Sequence, residues 1–256
     1  MRLFLRCLRA DIQKTKRTSF MWLHLLIPFI YAGIFLLYFY SKDPGPFDLY
    51  QSYMTLMAVA LPFLISIMCG TAAQLEEHAG KFQVLLGATS VKLTAYVSKI
   101  ALLLMMNAAS VFLAIAVYLA GLTFVLKVPD LPYALFWEGG AWLFAGCVTL
   151  YMLYFLVSCV FGIGASVLLG GAGFLMTALM NTGLGDVIWK YNPWAWGIRL
   201  SGLAGIRYFG KIDAEYMPLF DREMNTGIYM MTFVIMAVFI TSILWFIRWE
   251  GRKANE

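Results

Sequence analysis

Two glutamates and two histidines are the residues whose types could support catalysis in this chain. Glu76 and Glu77 are adjacent, Lys81 follows shortly after them, and His24 and His78 are the two histidines of the sequence. Paired carboxylates and histidines inside a membrane could hold a metal ion that activates water for hydrolysis. The alternative is that His24 lies near a membrane interface and His78 is an ordinary loop histidine.

The same residues resemble part of the signature of intramembrane CAAX-type proteases. Glu76-Glu77-x-x-x-Lys81 is similar to their Glu-Glu-x-x-x-Arg element, and Phe20-x-x-x-His24 to their Phe-x-x-x-His element. Here the basic residue is Lys, the two elements stand in reversed order, and His78-x-x-x-Phe82 offers no Asn or Asp for the third element. An intramembrane protease is therefore the remote alternative, and we predict no catalytic residue and no metal site.

A nucleotide site is not indicated either. Gly80-Lys81 is followed by Phe82, whereas a phosphate-binding loop requires Gly-x-x-x-x-Gly-Lys-Ser/Thr. The sequence thus predicts no cofactor bound by this chain, and any hydrolysis of ATP with Mg²⁺ must occur on a partner ATPase. The four scattered cysteines, Cys7, Cys69, Cys147 and Cys159, show no spacing typical of metal ligands or of a disulfide framework.

The composition excludes a soluble domain. Of the 256 residues, 62% are hydrophobic and 13% charged, whereas soluble domains are about 45–50% apolar and about 25% charged. A helix needs about 20 apolar residues to cross a bilayer. We predict one all-α membrane domain over residues 1–256, without a cleavable signal peptide. Its six spans are placed at about 19–40, 51–73, 97–126, 139–160, 163–181 and 228–248.

The distribution of charge predicts the orientation. With six spans, the two termini and the segment after span two carry 12 basic and 5 acidic residues, and the segments on the other side carry 7 basic and 9 acidic. Basic residues collect on the cytoplasmic side, so we expect both termini there. The basic residues of the leader, residues 1–17, recur at helical spacing, which predicts an amphipathic surface helix. It serves either only as a topology determinant or as an elbow into span one.

Residues 74–87 form the main predicted cytoplasmic feature. Their apolar residues recur at helical spacing, and Gly87 suits a C-cap, with Thr89 or Ser90 capping the next helix. Such a short helix could dock into a groove on a cytoplasmic partner. The alternative is a solvated interfacial loop.

The middles of the spans lack ionisable residues, which argues against ion-coupled transport and against an ion channel. Pro62 predicts a kink in span two. Gly162, Ser166 and Gly170 recur at steps of four, which favours close helix packing within the chain or, alternatively, a seam between subunits.

Residues 182–227 form a predicted outer segment rich in aromatic side chains. Trp189, Trp194 and Trp196, with Arg199, suit the membrane–water interface. We expect a partly helical element, surface-lying or re-entrant, that anchors span six or forms an exit for amphipathic cargo.

Together, these features resemble an ABC-2-type permease. Three stretches are more specifically similar to lantibiotic-immunity permeases of the G-subunit type. They are 18–28 (Thr-Ser-Phe-Met-Trp-Leu-His-Leu-Leu-Ile-Pro), 69–86 (Cys-Gly-Thr-Ala-Ala-Gln-Leu-Glu-Glu-His-Ala-Gly-Lys-Phe-Gln-Val-Leu-Leu), and 161–166 (Phe-Gly-Ile-Gly-Ala-Ser) through 182–186 (Thr-Gly-Leu-Gly-Asp) to 193–196 (Pro-Trp-Ala-Trp).

The resemblance implies a function and partners. The permease would sit in the bacterial plasma membrane, pair with a second related permease, and be driven by two copies of a cytoplasmic ATPase. The complex would expel a lantibiotic from the membrane of the producer, with lipid but no nucleic acid as a further partner. The resemblance also makes 74–86 a coupling helix whose ATPase contacts are Gln74, Glu76, Glu77, Phe82 and Gln83. Where a more acidic run is typical, this sequence has Gln74-Leu-Glu-Glu. The alternatives are an ABC-2 permease for another amphipathic antibiotic or lipid, and a non-transporting scaffold.

Overall fold

The computed structural model describes residues 2–16, 19–42, 44–87 and 92–251. Within these ranges the chain is largely helical and contains no strand, which confirms the all-α prediction. Ten α-helices follow one another in the described residues: α1 Arg2–Thr15, α2 Ser19–Phe39, α3 Pro46–His78, α4 Gln83–Gly87, α5 Lys92–Phe124, α6 Tyr133–Phe161, α7 Ile163–Met180, α8 Gly185–Ile188, α9 Trp196–Tyr208 and α10 Met217–Arg248. Short 3₁₀ turns lie at Trp189–Tyr191 and Ala214–Tyr216.

Six of the described helices are long and apolar enough to span a membrane, namely α2, α3, α5, α6, α7 and α10. This confirms the six-span count. The break between spans four and five falls at Gly162, whose φ of 86° lies in a region that a side chain rarely tolerates. Gly162 therefore ends α6 and leads directly into α7.

Several helices are longer than the predicted spans. α3 begins at Pro46 and continues to His78, and α10 begins at Met217, inside the predicted outer segment. The expected single helix over 74–87 is wrong, because residues 74–78 are the end of α3 and only Gln83–Gly87 form a separate helix. Charged residues marked the ends of the predicted spans, but a helix continues past them where it protrudes from the apolar layer. The expected caps Thr89 and Ser90 lie outside the described residues.

Residues 182–209 fold back into the bundle, which favours the re-entrant alternative. Trp194 Nε1 donates at 2.7 Å to the hydroxyl of Tyr154, in the second half of α6, whereas Phe209, after α9, packs its ring 5.5 Å from that of Phe47 near the start of α3. Because α6 passes close to α9, a methyl group at Gly146 would overlap the backbone of Gly197. The chain therefore dips between α3, α6 and α7 and returns along α9.

One end of the bundle, which we call the α1 end, holds α1, the described part of the segment between α3 and α5 (residues 79–87, the α3–α5 connection) and the end of α10. α1 packs on the first turns of α5, and the ring of Phe82 in the connection lies 5.0 Å from that of Trp249 after α10. The described parts of both terminal regions thus lie at the same end as the connection. An even number of spans places both termini at the same end of the bundle, so this arrangement agrees with six spans.

Two of the three small residues that recur at steps of four, Ser166 and Gly170, pack against another helix of the same chain. Ser166 Oγ donates to the carbonyl of Ser66 at 3.0 Å, and a methyl group at Gly170 would overlap the Ser66 hydroxyl. These two positions let α7 approach α3 closely, as the intrachain alternative predicts.

Candidate coupling site

Four charged side chains form a buried cluster at the α1 end, which we call the ion cluster: Asp11, Lys14, Glu76 and Lys99. Lys99 Nζ lies 2.7 Å from Asp11 Oδ1 and 2.7 Å from Glu76 Oε1. Lys14 Nζ lies 3.2 Å from Glu76 Oε2, and Ser98 Oγ donates to Asp11 Oδ2 at 3.0 Å. One ammonium group therefore joins carboxylates from α1 and α3 to α5.

The cluster is shielded from solvent, and its formal charges sum to zero. The side chains of Lys99 and Glu76 are 4% and 1% exposed, and that of Asp11 is 8% exposed. Only Lys14, at 37%, reaches solvent substantially. Buried charges stabilise a fold only when each one is matched by an opposite charge. Removing one partner of a buried pair costs about 3–5 kcal/mol. The cluster therefore fixes how α1, α3 and α5 sit relative to one another.

The amphipathic pattern of α1 explains why Asp11 lies in the ion cluster. Arg2, Arg6 and Arg9 point to solvent, while Asp11 and Thr15 are buried against α5. Desolvation at this contact raises the pKa of the Cys7 thiol, and the negative charge of Asp11 adds to the shift. The predicted surface helix is thus a packed element of the bundle as well as a carrier of basic charge.

The connection after α3 turns sharply. Gly80, Lys81 and Phe82 have φ values of 125°, 50° and 65°, and the latter two are unusual for residues with a side chain. The turn is closed by backbone bonds, from Lys81 N–H to the Glu77 carbonyl at 2.6 Å and from Phe82 N–H to the Glu76 carbonyl at 3.1 Å. It carries the Phe82 ring into the core and leaves residues 78–81, 83 and 87 exposed.

The predicted coupling residues separate into two groups. Glu76 is 1% and Phe82 0% exposed, so the expectation that both contact an ATPase is corrected: their side chains are occupied by the ion cluster and by Trp249. Gln74 and Glu77 are half-buried, and Gln83 is exposed. Of the five predicted contacts, Gln83 alone has an exposed side chain, and it lies on the exposed face of the connection.

Sequence reasoning missed Asp11 and Lys99 as site residues. Two local signals were available: an isolated acid on a basic helix, and a lysine immediately before the long apolar run of α5. Their pairing depends on how α1 packs on α5, and no sequence spacing reveals that packing.

The predicted outer-interface residues lie mostly within the fold. Trp189 is 3% and Trp196 0% exposed, and Trp194 is half-buried, so their assignment to the membrane–water interface is corrected to a packing role in the re-entrant segment. Arg199 bonds to the carbonyls of Met180 and Thr182 at 2.6 Å each and to Asp186 at 2.7 Å. The Arg199 side chain therefore connects the C-terminal end of α7 to α9.

The protease signature is not assembled as a metal site. Glu76 is paired with two lysines, and His24 is buried on α2, where Ser110 Oγ donates to its backbone carbonyl at 3.0 Å. Among the described residues, no group of three or more His, Cys, Asp or Glu side chains is placed to hold a metal ion.

Comparison with known proteins identifies the family of this chain. The family described as ABC-2 family transporter protein matches residues 7–170, which include most of α1, the ion cluster, the connection, the first four spans and the beginning of the fifth. No curated protein and no solved structure is significantly similar to the chain. The match covers more than half of the chain, which therefore belongs to the ABC-2 transporter family as a multi-pass, non-catalytic permease subunit.

Proposed function

We propose that a partner ATPase docks on the exposed face of the α3–α5 connection and drives export through this permease. Family membership supports the exporter role, and ATPase partners are a property of ABC transporters. The observation that carries the docking site is the connection itself. It presents a contiguous exposed face over residues 78–81, 83 and 87 at the end where α1, α3, α5 and α10 converge.

The contacts behind this face would transmit the movement of the ATPase. Phe82 joins the connection to Trp249 at the end of α10, with ring centres 5.0 Å apart. Glu76, six residues earlier, joins it through Lys99 to α5 and through Lys14 to α1. A packed core and a buried cluster of matched charges both resist partial separation. The helices that they join therefore move as one unit when the ATPase displaces the connection. Binding of ATP on the partner would thus move α1, α3, α5 and α10 together.

The proposed orientation places the α1 end in the cytoplasm, with both termini there. The excess of basic residues in the leader, connection and tail supports it. The exposed Arg2, Arg6 and Arg9 of α1 would then lie beside anionic lipid headgroups of the inner leaflet.

The proposed cargo is a lantibiotic, exported for self-protection of a bacterial producer. The resemblance of 18–28, 69–86 and 161–196 to lantibiotic-immunity permeases supports this proposal, as does the scarcity of ionisable residues within the spans. The working complex would contain a second related permease and two ATPase copies carrying ATP and Mg²⁺. Deleting the transporter should sensitise the cells to the lantibiotic. Unchanged sensitivity would favour another amphipathic antibiotic or a lipid as cargo.

The docking proposal is tested by the ATP turnover of the cognate ATPase, reconstituted in lipid with this chain. A double variant, Lys81→Glu with Gln83→Glu, reverses the charge of the exposed face and leaves the buried contacts intact, so stimulation of ATP turnover should fall several-fold. Lys211→Glu, at a lysine that is also exposed and lies beyond α9, is the control and should keep full stimulation. Equal behaviour of the two variants would contradict docking at the connection.

A further inference from the structure

A cleft between α2 and α3 is the strongest unassigned feature of the fold. α2 packs along α5 but contacts α3 little, and the gap between them holds a cavity of about 80 Å³ that opens to the outside of the bundle. Its walls are mostly apolar, including Ile27, Leu64 and Ile65. The neighbouring surface of α2, with Leu25, Leu26, Phe29 and Ile30, is exposed and apolar, as a lipid-facing helix requires.

One end of the cleft is closed by aromatic rings. Tyr31 donates its hydroxyl hydrogen to the carbonyl of Tyr53 at 2.6 Å, and their ring centres lie 4.8 Å apart. Behind them Tyr53 stacks on Tyr118 at 3.9 Å. From His24 to Tyr31 the cleft runs roughly 10 Å along α2, at 1.5 Å per residue. A flexible hydrocarbon chain suits this narrow, closed-ended shape better than a folded peptide does.

The other end carries an unused hydrogen-bond donor. Asn107 lines the cleft and is 3% exposed, and of its two Nδ2 hydrogens at most one is directed to an acceptor among the described residues, the weakly accepting thiol of Cys147. A buried N–H group without an acceptor is costly, so a ligand that brings an acceptor is favoured there.

The depth of Asn107 identifies the acceptor. The bond from Ser110 to the His24 carbonyl places residue 24 of α2 beside residue 110 of α5, and the contact of Leu36 with Gly121 shows that the two helices run parallel. Asn107 therefore lies only roughly 3 Å along the axis from the level at which α2 begins, at 1.5 Å per residue. At that boundary of the apolar layer, the available acceptors are the ester carbonyls of phospholipids.

From these observations we infer that the cleft binds one acyl chain of a bilayer phospholipid, with its ester carbonyl accepting a hydrogen bond from Asn107. The lipid comes from the leaflet at the α1 end. It completes the packing between α2 and α3, directly beyond the ion cluster. The site requires neither the ATPase nor the cargo, and so is independent of the proposed function.

The test uses the full chain in nanodiscs that contain a phosphatidylcholine with a photoreactive acyl chain. Cross-links should concentrate on Ile27, Leu64 and their neighbours in the cleft rather than on open lipid-facing positions such as Ile30. Ala60→Phe fills the cleft and should lower its labelling several-fold. Ala172→Phe, at an exposed position of α7, is the matched control and should leave the labelling unchanged.

The hydrogen bond is tested by comparing ester-linked and ether-linked forms of the lipid. On the unchanged chain, the ether form should label the cleft roughly two- to tenfold less, the range for one net hydrogen bond. Asn107→Leu should remove that difference. Labelling of the cleft no denser than that of the open surface, or equal labelling by both lipids, would overturn the inference. Displacement of the label by a cationic peptide would assign the cleft to cargo and overturn it as well.

Discussion

Replacing Lys99 with Met should destabilise the permease strongly, because it removes the one ammonium group that joins α5 to both α1 and α3. The side chain of Lys99 is 4% exposed, and its Nζ lies 2.7 Å from a carboxylate oxygen of Asp11 and 2.7 Å from one of Glu76. Methionine keeps much of the volume of the side chain, so the change isolates the charge. It leaves the buried Glu76 carboxylate paired with the partly exposed Lys14, and the buried Asp11 carboxylate with the hydroxyl of Ser98 but without the ammonium group that faced it.

The expected size follows from that burial. Breaking a buried pair by removing one partner costs about 3–5 kcal/mol. For a chain of this length, 1 kcal/mol corresponds to a shift of about 2–4 °C in Tm, so Lys99→Met should lower Tm by roughly 6–20 °C. Replacing all charges of a buried network is often neutral or stabilising. The triple variant Asp11→Asn, Glu76→Gln, Lys99→Met should therefore recover most of the loss.

Thermal unfolding of the detergent-purified protein, followed by size-exclusion fluorescence, measures both effects. Arg207→Met is the matched control: Arg207 lies 3.3 Å from Asp221, but these side chains are 56% and 39% exposed. An exposed pair is worth about 0–1 kcal/mol, so this variant should lose at most about 4 °C. The reasoning fails if Lys99→Met loses no more than the control, or if the triple variant is as unstable as the single one.

Three further substitutions test other contacts. Phe82→Ala empties a fully buried site against Trp249 and should cost about 3–5 kcal/mol, with faster hydrogen exchange at the end of α10 as the readout. Gly146→Ala places a methyl group on the backbone of α9 and should cost about 1–3 kcal/mol in thermal unfolding, whereas Gly171→Ala, with open space around it, should be nearly neutral. Arg199→Lys loses the planar fork that binds the carbonyls after α7 and Asp186, so amide exchange over 180–186 should accelerate. Unchanged exchange would show that Lys suffices.

The spans were predictable because their signal is local. A long apolar run must form a helix in a bilayer, where no water is present to satisfy the backbone, and Gly162, at a positive φ, marks the break between α6 and α7. The ends of the helices were harder to predict from the sequence. α3 continues through Glu76 because that carboxylate is matched by Lys99, a partner 23 residues away.

The tertiary roles of individual residues were not predictable from local patterns. Trp189 and Trp196 have the composition of an interfacial belt, but an aromatic side chain is equally suited to a buried contact, and the re-entrant path of the chain decides between the two. Phe82 likewise has the spacing of an exposed docking helix. The positive φ values at residues 80–82 turn it inward instead.

The central claim is that the ATPase meets the connection between α3 and α5, and site-specific photocross-linking tests it most directly. A photoreactive amino acid is introduced at Gln83, which is exposed on the connection, or at Lys42, which is exposed at the opposite end of the bundle. Irradiation of the assembled transporter should join the ATPase to position 83 and not to position 42. Cross-linking from position 42 with none from position 83 would contradict the account.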